Sequence, residues 1–429
     1  MFRKSFVGSV CSLAMFGAMF GAMSGAPAVA QTLDQQYADF LGGKCGRMGL
    51  PRDPASNDNE VNADVPIGPN LREYCRGLVP TGGVSTNTIT GGGSGASSGR
   101  GGGMDDVLRK RRGRGQKQED GDANTDFGSF STFLSVDLKD ERRDATVYEG
   151  GQHSQTGALL LGADYRFGSK GVVGGAFEIS HQSGRYAASG GDFDGHVGGL
   201  VLFGSWLPGE ELFVDFSAAY DRIRNSTSRV TSFKIAFGGS PGSPPPPPGS
   251  GIYAISPALA QGDSKASSWR AEVRSGYDFR SGGLTYGPRV GVVDQNTDTD
   301  AYTETGATPM TLAFDAQTVE SLRSSVGFQG SAASSTDNAV LVWQFNADWM
   351  HEFRADQRLI GARFAEDLRP DATRLAFLNS APDRDFFLAR VAIVGVLHDG
   401  LSVFANAESL FGHAYIDRYG LSVGIRREF

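Results

Sequence analysis

The chain has 429 residues, a formal net charge of −8, 60 glycines and an aromatic content of 10%. This length allows more than one domain, and the acidic balance gives no support to a nucleic-acid-binding protein, which normally carries a basic face. Abundant glycine and phenylalanine with few long apolar runs argue against a helical membrane protein and favour many short strands.

The first segment, 1–30, has the features of a secretory signal peptide. Arg3 and Lys4 precede an apolar stretch rich in Ala, Gly and Met, and Ala28 and Ala30 provide a cleavage site of the A-x-A type. A transmembrane anchor is the alternative interpretation of the same stretch. We expect cleavage after Ala30 and use of the general export pathway.

The second segment, 31–80, predicts a small helical hairpin. Apolar residues such as Tyr37 and Phe40 fall at helical spacing close to Cys45, and a similar stretch surrounds Cys75. An even pair of cysteines in an exported chain predicts one disulfide. It would close a loop of roughly 30 residues. Two distant cysteines are a poor basis for a metal site, which needs more ligands.

A flexible stretch and a charged stretch come next. Residues 81–104 are dominated by Gly and Ser and predict a flexible linker. Residues 105–126 begin with two aspartates and continue with a basic run, a charge order typical of the start of a helix. A solvated charged linker is the alternative. The basic run consists of Arg109, Lys110, Arg111 and Arg112.

From 127 to 429 the sequence alternates between apolar and polar residues and predicts about twelve β-strands. The stretch 268–279 alternates most clearly, with Trp269 and Val273 on one face. Its other face carries Arg270, Glu272, Arg274 and Asp278. The last predicted strand, 418–429, has an apolar face made of Tyr419, Leu421, Val423, Ile425 and Phe429.

The connections between the predicted strands alternate in length. Tiny turns separate long predicted loops, among them 139–155, 223–267, 294–318 and 354–385. Short turns at one end, long loops at the other and an even number of long strands are typical of an outer-membrane β-barrel. The apolar faces would contact lipid and the polar faces would line the lumen. We expect the last strand to pair with the first, because no sheet edge is tolerated in lipid.

The sequence contains little that indicates chemistry. Residues 238–242 match the spacing of a nucleophile elbow around Ser240, but they run into a proline run where a helix is required. The acidic stretch 294–304 lacks the spacing of an EF-hand and predicts a solvated surface loop. We therefore expect no enzyme activity, no catalytic residue, no metal site and no cofactor.

Residues 126–429 resemble the autotransporter family of type V secretion proteins. The resemblance rests on GALLLGADYRF in the second strand, DAQTVESLRSSVGFQ in the eighth, WQFNADWMHEF in the ninth and the long stretch that leads to Phe429. It implies an outer-membrane translocator barrel that carries its own N-terminal segment. It also implies that 105–112 forms a plug helix whose cations face lumen carboxylates. The apolar face of the last strand would be the signal read by the barrel-assembly machinery.

The chain departs from the family in its passenger, because only 31–104 is available and it shows no repeat. Two alternatives therefore stay open: a surface-display or adhesin-like barrel with exposed loops, and a diffusion channel. The expected partners are outer-membrane lipid, the export pathway and the assembly machinery, with no nucleic acid. We expect a monomer in the outer membrane, with its N-terminal segment at the cell surface or in the periplasm.

Overall fold

A computed structural model describes residues 129–429 apart from short gaps at 147, 169, 188–190, 210, 238–251, 307–310, 337–338, 369, 371 and 373. The predicted signal peptide, the hairpin with Cys45 and Cys75, the Gly/Ser linker and the charged segment 105–126 lie outside the described residues. Within the described part of the chain, no helix has the length and apolar character needed to cross a membrane.

The described residues form seventeen strands and one 3-10 turn, His398–Gly400. The strands are β1 Phe130–Arg143, β2 Gln152–Phe167, β3 Gly171–Tyr186, β4 Asp192–Trp206, β5 Leu212–Phe237, β6 Ile252–Tyr277, β7 Phe279–Ser281, β8 Leu284–Thr299, β9 Tyr302–Thr303, β10 Leu312–Phe314, β11 Gln317–Ser335, β12 Val340–Glu352, β13 Leu359–Phe364, β14 Arg374–Leu378, β15 Asp385–Val396, β16 Leu401–Phe411 and β17 Ile416–Glu428.

Twelve of these strands form a closed antiparallel barrel: β1–β6, β8, β11, β12 and β15–β17. The barrel closes where β17 pairs with β1, from Ser131 opposite Glu428 to Arg143 opposite Ile416. Each barrel strand therefore has two hydrogen-bonded neighbours, which is what a sheet surrounded by lipid requires. The prediction of an all-β, twelve-stranded closed barrel is confirmed.

The two faces of each barrel strand differ in polarity. On β17, Leu421 is 50% exposed on the outer surface, whereas Arg426 is 1% exposed on the inner side. The same alternation on the other strands produces an outer belt of exposed Leu, Val, Ile, Phe, Tyr and Trp side chains. A lipid-facing apolar belt around a polar interior is the arrangement of a transmembrane β-barrel.

The prediction that 223–267 is one long loop is wrong. Strands β5 and β6 have 26 residues each and pair continuously, from Leu212 opposite Tyr277 to Phe237 opposite Ile252. The outer halves of these strands extend beyond the apolar belt. Lipid surrounds only part of a strand of this length, so the alternation that marks a lipid-embedded strand is not imposed on the rest. The predicted loop 139–155 is shortened for the same reason, because β1 and β2 pair as far as Arg143 and Gln152.

The predicted loops 294–318 and 354–385 also contain strands. Strands β14, β13, β10 and β9 form a separate four-stranded sheet in that order, which we call the accessory sheet. It lies at the end of the barrel with the longer connections, which we call the mouth. The acidic stretch 294–304 is not a solvated loop, because β8 extends to Thr299 and Glu304 is buried.

Candidate functional site: the barrel lumen

The inner wall of the barrel carries buried carboxylates on β2, β3 and β5. Asp164, Glu178, Asp215 and Asp221 all point inward and are nearly inaccessible to solvent. Carboxylates almost never occur fully buried unless they are paired. These strands therefore form a side of the lumen suited to contact with cationic groups.

An apolar patch lies on the same side of the lumen. It consists of inward-facing Phe133, Leu160, Ala176, Val201, Phe203 and Ala219. Phe133 lies across Gly162 of the next strand, where a Cβ atom would collide with the ring. The Phe133 and Phe203 rings meet edge to face, with centroids 5.9 Å apart. The glycine of β2 thus makes room for a large ring inside the wall, and the lumen is apolar and acidic on one side.

The seam between the last and first strands is held by a buried ion pair. Arg426 Nη2 donates to Asp164 Oδ2 at 2.5 Å and to Ser131 Oγ at 2.5 Å. The Ser131 hydroxyl in turn donates to Asp164 Oδ2 at 2.8 Å. The three side chains come from β17, β1 and β2, so the cluster links both sides of the closure.

A second ion cluster spans the seam closer to the mouth. Glu408 lies between two cations, with Lys139 Nζ 3.2 Å from its Oε1 and Arg390 Nη2 2.9 Å from its Oε2. On β17, Ser422 donates a hydrogen bond to Asp137 of β1. The lumen side of the seam is therefore polar along much of its height, and its charges are compensated by the neighbouring strands.

A third ion pair crosses over a strand. Arg289 of β8 bonds to Asp348 of β12, with its Nε 2.7 Å from Asp348 Oδ1, and its Nη2 also reaches Asn346. Gly327 of β11 lies between them in register, opposite both Arg289 and Asp348. A Cβ atom at Gly327 would collide with the Asp348 carboxylate. The absence of a side chain at this position lets a buried pair form across the inner surface.

The four predicted lumen residues of β6 and its turn are brought together with partners from the lumen wall. Arg274 Nη2 lies 2.5 Å from Glu272 Oε1, and Arg270 Nη2 lies 3.7 Å from Glu272 Oε2. Asp278 accepts a hydrogen bond of 2.6 Å from Gln329 of β11. Trp269 and Val273 alternate with them and are exposed on the outer surface.

The apolar residues singled out on the last strand lie on the outer surface of β17. Tyr419, Leu421, Val423, Ile425 and Phe429 are all exposed. The ring centroids of Phe429 and Phe130 lie 6.2 Å apart, and the backbone N–H of Phe429 donates to the carbonyl of Phe130. Arg427 shares this face and places its guanidinium 5.6 Å from the centre of the Phe429 ring. The first and last aromatic residues of the barrel therefore meet at the end opposite the mouth.

The accessory sheet is attached to the barrel by contacts from several strands, including a backbone bridge between Thr305, after β9, and Gln261 of β6. Arg229 of β5 forms a two-pronged ion pair with Glu304, with distances of 2.8 and 2.5 Å, and Glu304 also accepts the Leu312 N–H. After β14, the Ser380 N–H donates to Glu149 between β1 and β2 at 3.0 Å. The sheet is thus fixed to β5, to β6 and to the β1–β2 connection.

One group of side chains on the outer surface has the composition of a cation site. The ligand atoms of His181, Asp194 and His196 lie within 4.8 Å of one another, and all three residues are at least partly exposed. His196 Nε2 is 3.1 Å from Asp194 Oδ1, and His181 Nε2 is 3.4 Å from Asp194 Oδ2. Arg224 lies directly opposite His196 in the next strand. A bound cation would therefore have a positive neighbour.

The sequence alternation located the inward positions but not their partners. Arg426 and Asp164 are 262 residues apart, and Lys139 and Glu408 come from opposite ends of the barrel sequence. These contacts depend on closure and on the stagger between strands, which alternation does not fix. The one sequence feature that indicates such a partner is Arg426, an inward-facing cation near the end of the last strand. A buried cation there requires a carboxylate in a neighbouring strand.

The family model for the autotransporter beta-domain matches residues 132–408. The translocator domain of autotransporter NalP from Neisseria meningitidis is similar in structure, with 13% identity, coverage of 76% of this chain and 95% of that chain, and a TM-score of 0.53. The beta domain of the Bordetella autotransporter BrkA has 12% identity, coverage of 70% and 100%, and a TM-score of 0.45.

The transport unit of AIDA-I from Escherichia coli has 13% identity, coverage of 75% and 97%, and a TM-score of 0.38. At 13% identity, the likeness to the NalP domain shows a shared fold alone. A search of curated protein sequences found no match. The family match spans more than half of the chain and includes eleven of the twelve barrel strands completely or in large part.

Proposed function

The chain belongs to the autotransporter beta-domain family, and on that premise we propose that its outer-membrane translocator barrel carries its own short N-terminal segment to the cell surface. The observation that supports this most is the closed barrel with an apolar outer belt and a charged lumen. Such a barrel stays in the membrane while a polar chain passes through it or stays inside it. The proposed role is physical, without catalysis or a cofactor.

We propose that 105–112 is a helix in the lumen, within the segment 105–126 that links the linker 81–104 to the barrel. Val107 and Leu108 give this helix an apolar side that matches the apolar patch around Phe133. The basic run that follows, Arg109 to Arg112, matches the carboxylates of β2, β3 and β5. Buried carboxylates are stable next to such cations, so the helix would plug the pore.

Charge reversal of the basic run tests the plug. In the full chain, replacing Arg109, Lys110, Arg111 and Arg112 with Glu should repel the lumen carboxylates and raise the ion conductance of single barrels in planar bilayers. The matched control reverses Arg114 and Lys117, which lie outside the proposed helix and should leave conductance unchanged. High conductance of the native chain would support the diffusion channel instead.

Protease shaving of intact cells tests translocation. One epitope is placed next to Cys45 in the proposed hairpin 31–80, and another between Ser243 and Gly249, in the connection between β5 and β6. Cleavage at both epitopes is expected. If only the second is cleaved, the N-terminal segment is periplasmic and the proposal fails. The shift in mobility of the released fragment on reduction then tests the Cys45–Cys75 disulfide.

Surface display is a second candidate, favoured by the hairpin of β5 and β6. A tilted strand of about 9–11 residues is enough to cross the hydrocarbon layer. Strands of 26 residues therefore leave more than half of their length outside it. This hairpin presents a large surface to the exterior whether or not 31–104 is exported, so shaving at the second epitope alone would support display.

We further propose that Tyr419, Leu421, Val423, Ile425 and Phe429 are read by the barrel-assembly machinery. Their support is a continuous apolar face on the strand that closes the barrel. Replacing Phe429 with Ala should lower the amount of heat-modifiable barrel in outer membranes without changing the refolding yield in detergent. Leu401→Ala on β16 is the control, because it removes a similar exposed side chain outside the last strand. Size measurement in detergent would test the expected monomer.

A further inference from the structure

A row of basic residues crosses the outer surface of β4, β5 and β6 near the mouth. His196 is directly opposite Arg224, and Arg224 is directly opposite Lys265. All three side chains are exposed, whereas Ile223 and Asn225, on either side of Arg224, are buried inside. Arg222 lies two residues before Arg224 on the same face. We call Arg222, Arg224 and Lys265 the basic row.

The basic row lies directly beyond the lipid-facing belt. Tyr220 of β5 and Trp269 of β6 are opposite each other and exposed, and they lie on the membrane side of the row. A strand rises about 3.4 Å per residue, so Arg222 and Arg224 lie roughly 5 and 10 Å beyond Tyr220 along the membrane normal at the usual tilt. The headgroup layer extends about 5–7 Å beyond the hydrocarbon on each side. Arg222 therefore lies at headgroup depth in the outer leaflet. Arg224 and Lys265 start just beyond that layer, and their long side chains can extend back to it.

The charges of the basic row are not compensated by the protein in the described residues. No ion pair joins Arg222, Arg224 or Lys265 to a carboxylate there. Like charges directly opposite each other on a sheet are destabilising. Other cations near the mouth are paired, such as Arg142 with Asp144 at 3.4 Å and Arg354 with Asp294 at 3.5 Å. An uncompensated row of this kind favours an anion from outside the protein.

Two adjoining depressions on this outer face have the chemistry of the two parts of a lipid. The first, which we call the cleft, has a volume of about 590 Å³. It is lined by the basic row, by His196 and by Asp300. The second, which we call the groove, has a volume of about 550 Å³, lies on the membrane side of the cleft and is apolar. Gly175 and Ala218 contribute little side chain to its floor, and Leu200, Leu202 and Tyr220 border it. Tyr220 of the groove and Arg222 of the cleft are two residues apart on β5.

We propose that the basic row and the apolar groove bind one anionic lipid of the outer leaflet, with its phosphate in the cleft and an acyl chain in the groove. Two guanidinium groups offer forked donors that match phosphate oxygens, and Lys265 adds a point charge. Among the residues that line the cleft, Asp300 is the one carboxylate, against the three cations of the basic row. A free phosphate would use the cleft but would gain nothing from the groove.

A metal ion at His181, Asp194 and His196 is the competing use of this surface. The site holds one carboxylate, and the cation would lie opposite Arg224. The positive charges beside it oppose a cation and favour an anion. A chelator distinguishes the two, because lipid bound by the basic row should be retained in its presence.

Native mass spectrometry of the full chain in neutral detergent tests the proposal, with lipid A as the probe. The folded state is checked by heat-dependent gel mobility. Each cation near a charged lipid surface contributes about 1 kcal/mol, or roughly a fivefold change in affinity. Arg224→Ala with Lys265→Ala should therefore weaken binding about 25-fold. Arg142→Ala, which removes a paired cation, should change it less than about twofold.

Further binding measurements test the phosphate and the acyl chain of the lipid separately. Dephosphorylated lipid A should bind the native chain no better than the double variant binds lipid A. Ala218→Phe, which fills the groove, should weaken lipid A binding and leave any binding of inorganic phosphate unchanged. If inorganic phosphate displaces lipid A at equal concentration, the cleft is a phosphate site and the lipid proposal is wrong. Loss of binding with chelator or with His181→Ala would also overturn it.

One substitution separates binding from a structural role. Lys265→Glu places a carboxylate between Arg224 and Asp300, so gain and loss of charge contacts offset each other. The unfolding temperature in neutral detergent should stay nearly unchanged while lipid A binding weakens. Replacement of a residue that serves only the fold would lower both the unfolding temperature and lipid A binding, or neither of them. Unchanged lipid binding in Lys265→Glu would contradict the proposal.

Discussion

The barrel wall and the accessory sheet are both antiparallel β-structure, yet their side chains are distributed in opposite ways. In the wall, Leu202 is 67% exposed on the outer face and Arg426 is 1% exposed on the inner face. In the accessory sheet, Phe364 is 0% exposed, while Arg374 has a side chain that is 63% exposed. The surroundings account for the difference, because lipid favours apolar groups outside and water favours them inside.

This contrast predicts different consequences of substitution. The wall depends on buried ion pairs and hydrogen bonds between side chains of the lumen, and it is closed around its whole circumference. The accessory sheet depends on a small apolar core that includes Leu312, Phe314 and Ile360. Its link to the wall consists of a few polar contacts, among them Arg229 with Glu304. We therefore expect the wall to unfold as one unit and the accessory sheet to open locally.

Loss of Arg426 should have the largest effect. Arg426→Ala leaves Asp164 as a buried charge at the seam, and removal of one partner of a buried pair destabilises a protein by about 3–5 kcal/mol. We expect this loss in the free energy of unfolding, measured by urea titration of the refolded barrel. The neighbouring Arg427→Ala is the matched control, since its side chain lies on the outer face, and a change of less than about 0.5 kcal/mol is expected. Equal losses in both variants would contradict the role of the seam pair.

Loss of Phe364 should have a similar or slightly smaller effect, confined to the accessory sheet. Phe364→Ala removes a fully buried ring from a small core, a change that destabilises by about 3 kcal/mol or more. Hydrogen exchange should accelerate in β10, β13 and β14, while exchange in β17 and the urea midpoint of the barrel stay as in the native protein. Phe387→Ala, on the lipid-facing side, is the control. Accelerated exchange throughout the barrel would show that the two sheets unfold together.

A methyl group at Gly327 should have an intermediate effect on the wall. Gly327→Ala places a Cβ atom against the Asp348 carboxylate, and overpacking of this kind destabilises by about 1–3 kcal/mol. Gly198→Ala on the outer face is the control, because a Cβ atom there meets nothing within 4 Å. If Arg289 is also replaced, part of the cost should disappear, since Asp348 is then free to move. Additive losses in the double variant would argue against the shared site.

The sequence predicts the wall far better than the accessory sheet, for physical reasons. A strand between lipid and a polar lumen must alternate, so 268–279 and 418–429 are visible as strands in the sequence alone. Strand β10 is three residues long and buried on both faces, so its sequence, Leu312-Ala313-Phe314, has no period to detect. The outer halves of β5 and β6 are not predicted as strands for a related reason, because they lie beyond the lipid that imposes the alternation. The cross-strand partners in the lumen depend on register, which turn lengths and closure decide together.

Acidification should have the smallest effect, at the junction between wall and accessory sheet. His413 lies between β16 and β17 against the rings of Phe386 and Tyr415, and burial lowers its pKa to about 4. Asp383 opposes this shift, whereas Arg418 and Arg143 add to it. An unfolded histidine has a pKa of about 6.5, so the unfolded chain binds the proton more tightly. The resulting stability is complete above about pH 6.5 and is lost as the pH falls toward 4.

The size of this loss should be on the order of 1 kcal/mol at pH 5, because the group is only partly shielded from solvent. His413→Gln keeps a neutral polar side chain and should abolish that part of the pH dependence between 6.5 and 4, while acid-induced changes from carboxylates remain in both proteins. His153→Gln is the control, because His153 is exposed and pairs with Asp140 on the outer surface. Hydrogen exchange of 412–415 at each pH locates the effect. If the two variants respond alike, the loss is a general acid effect and the junction is not pH-sensitive.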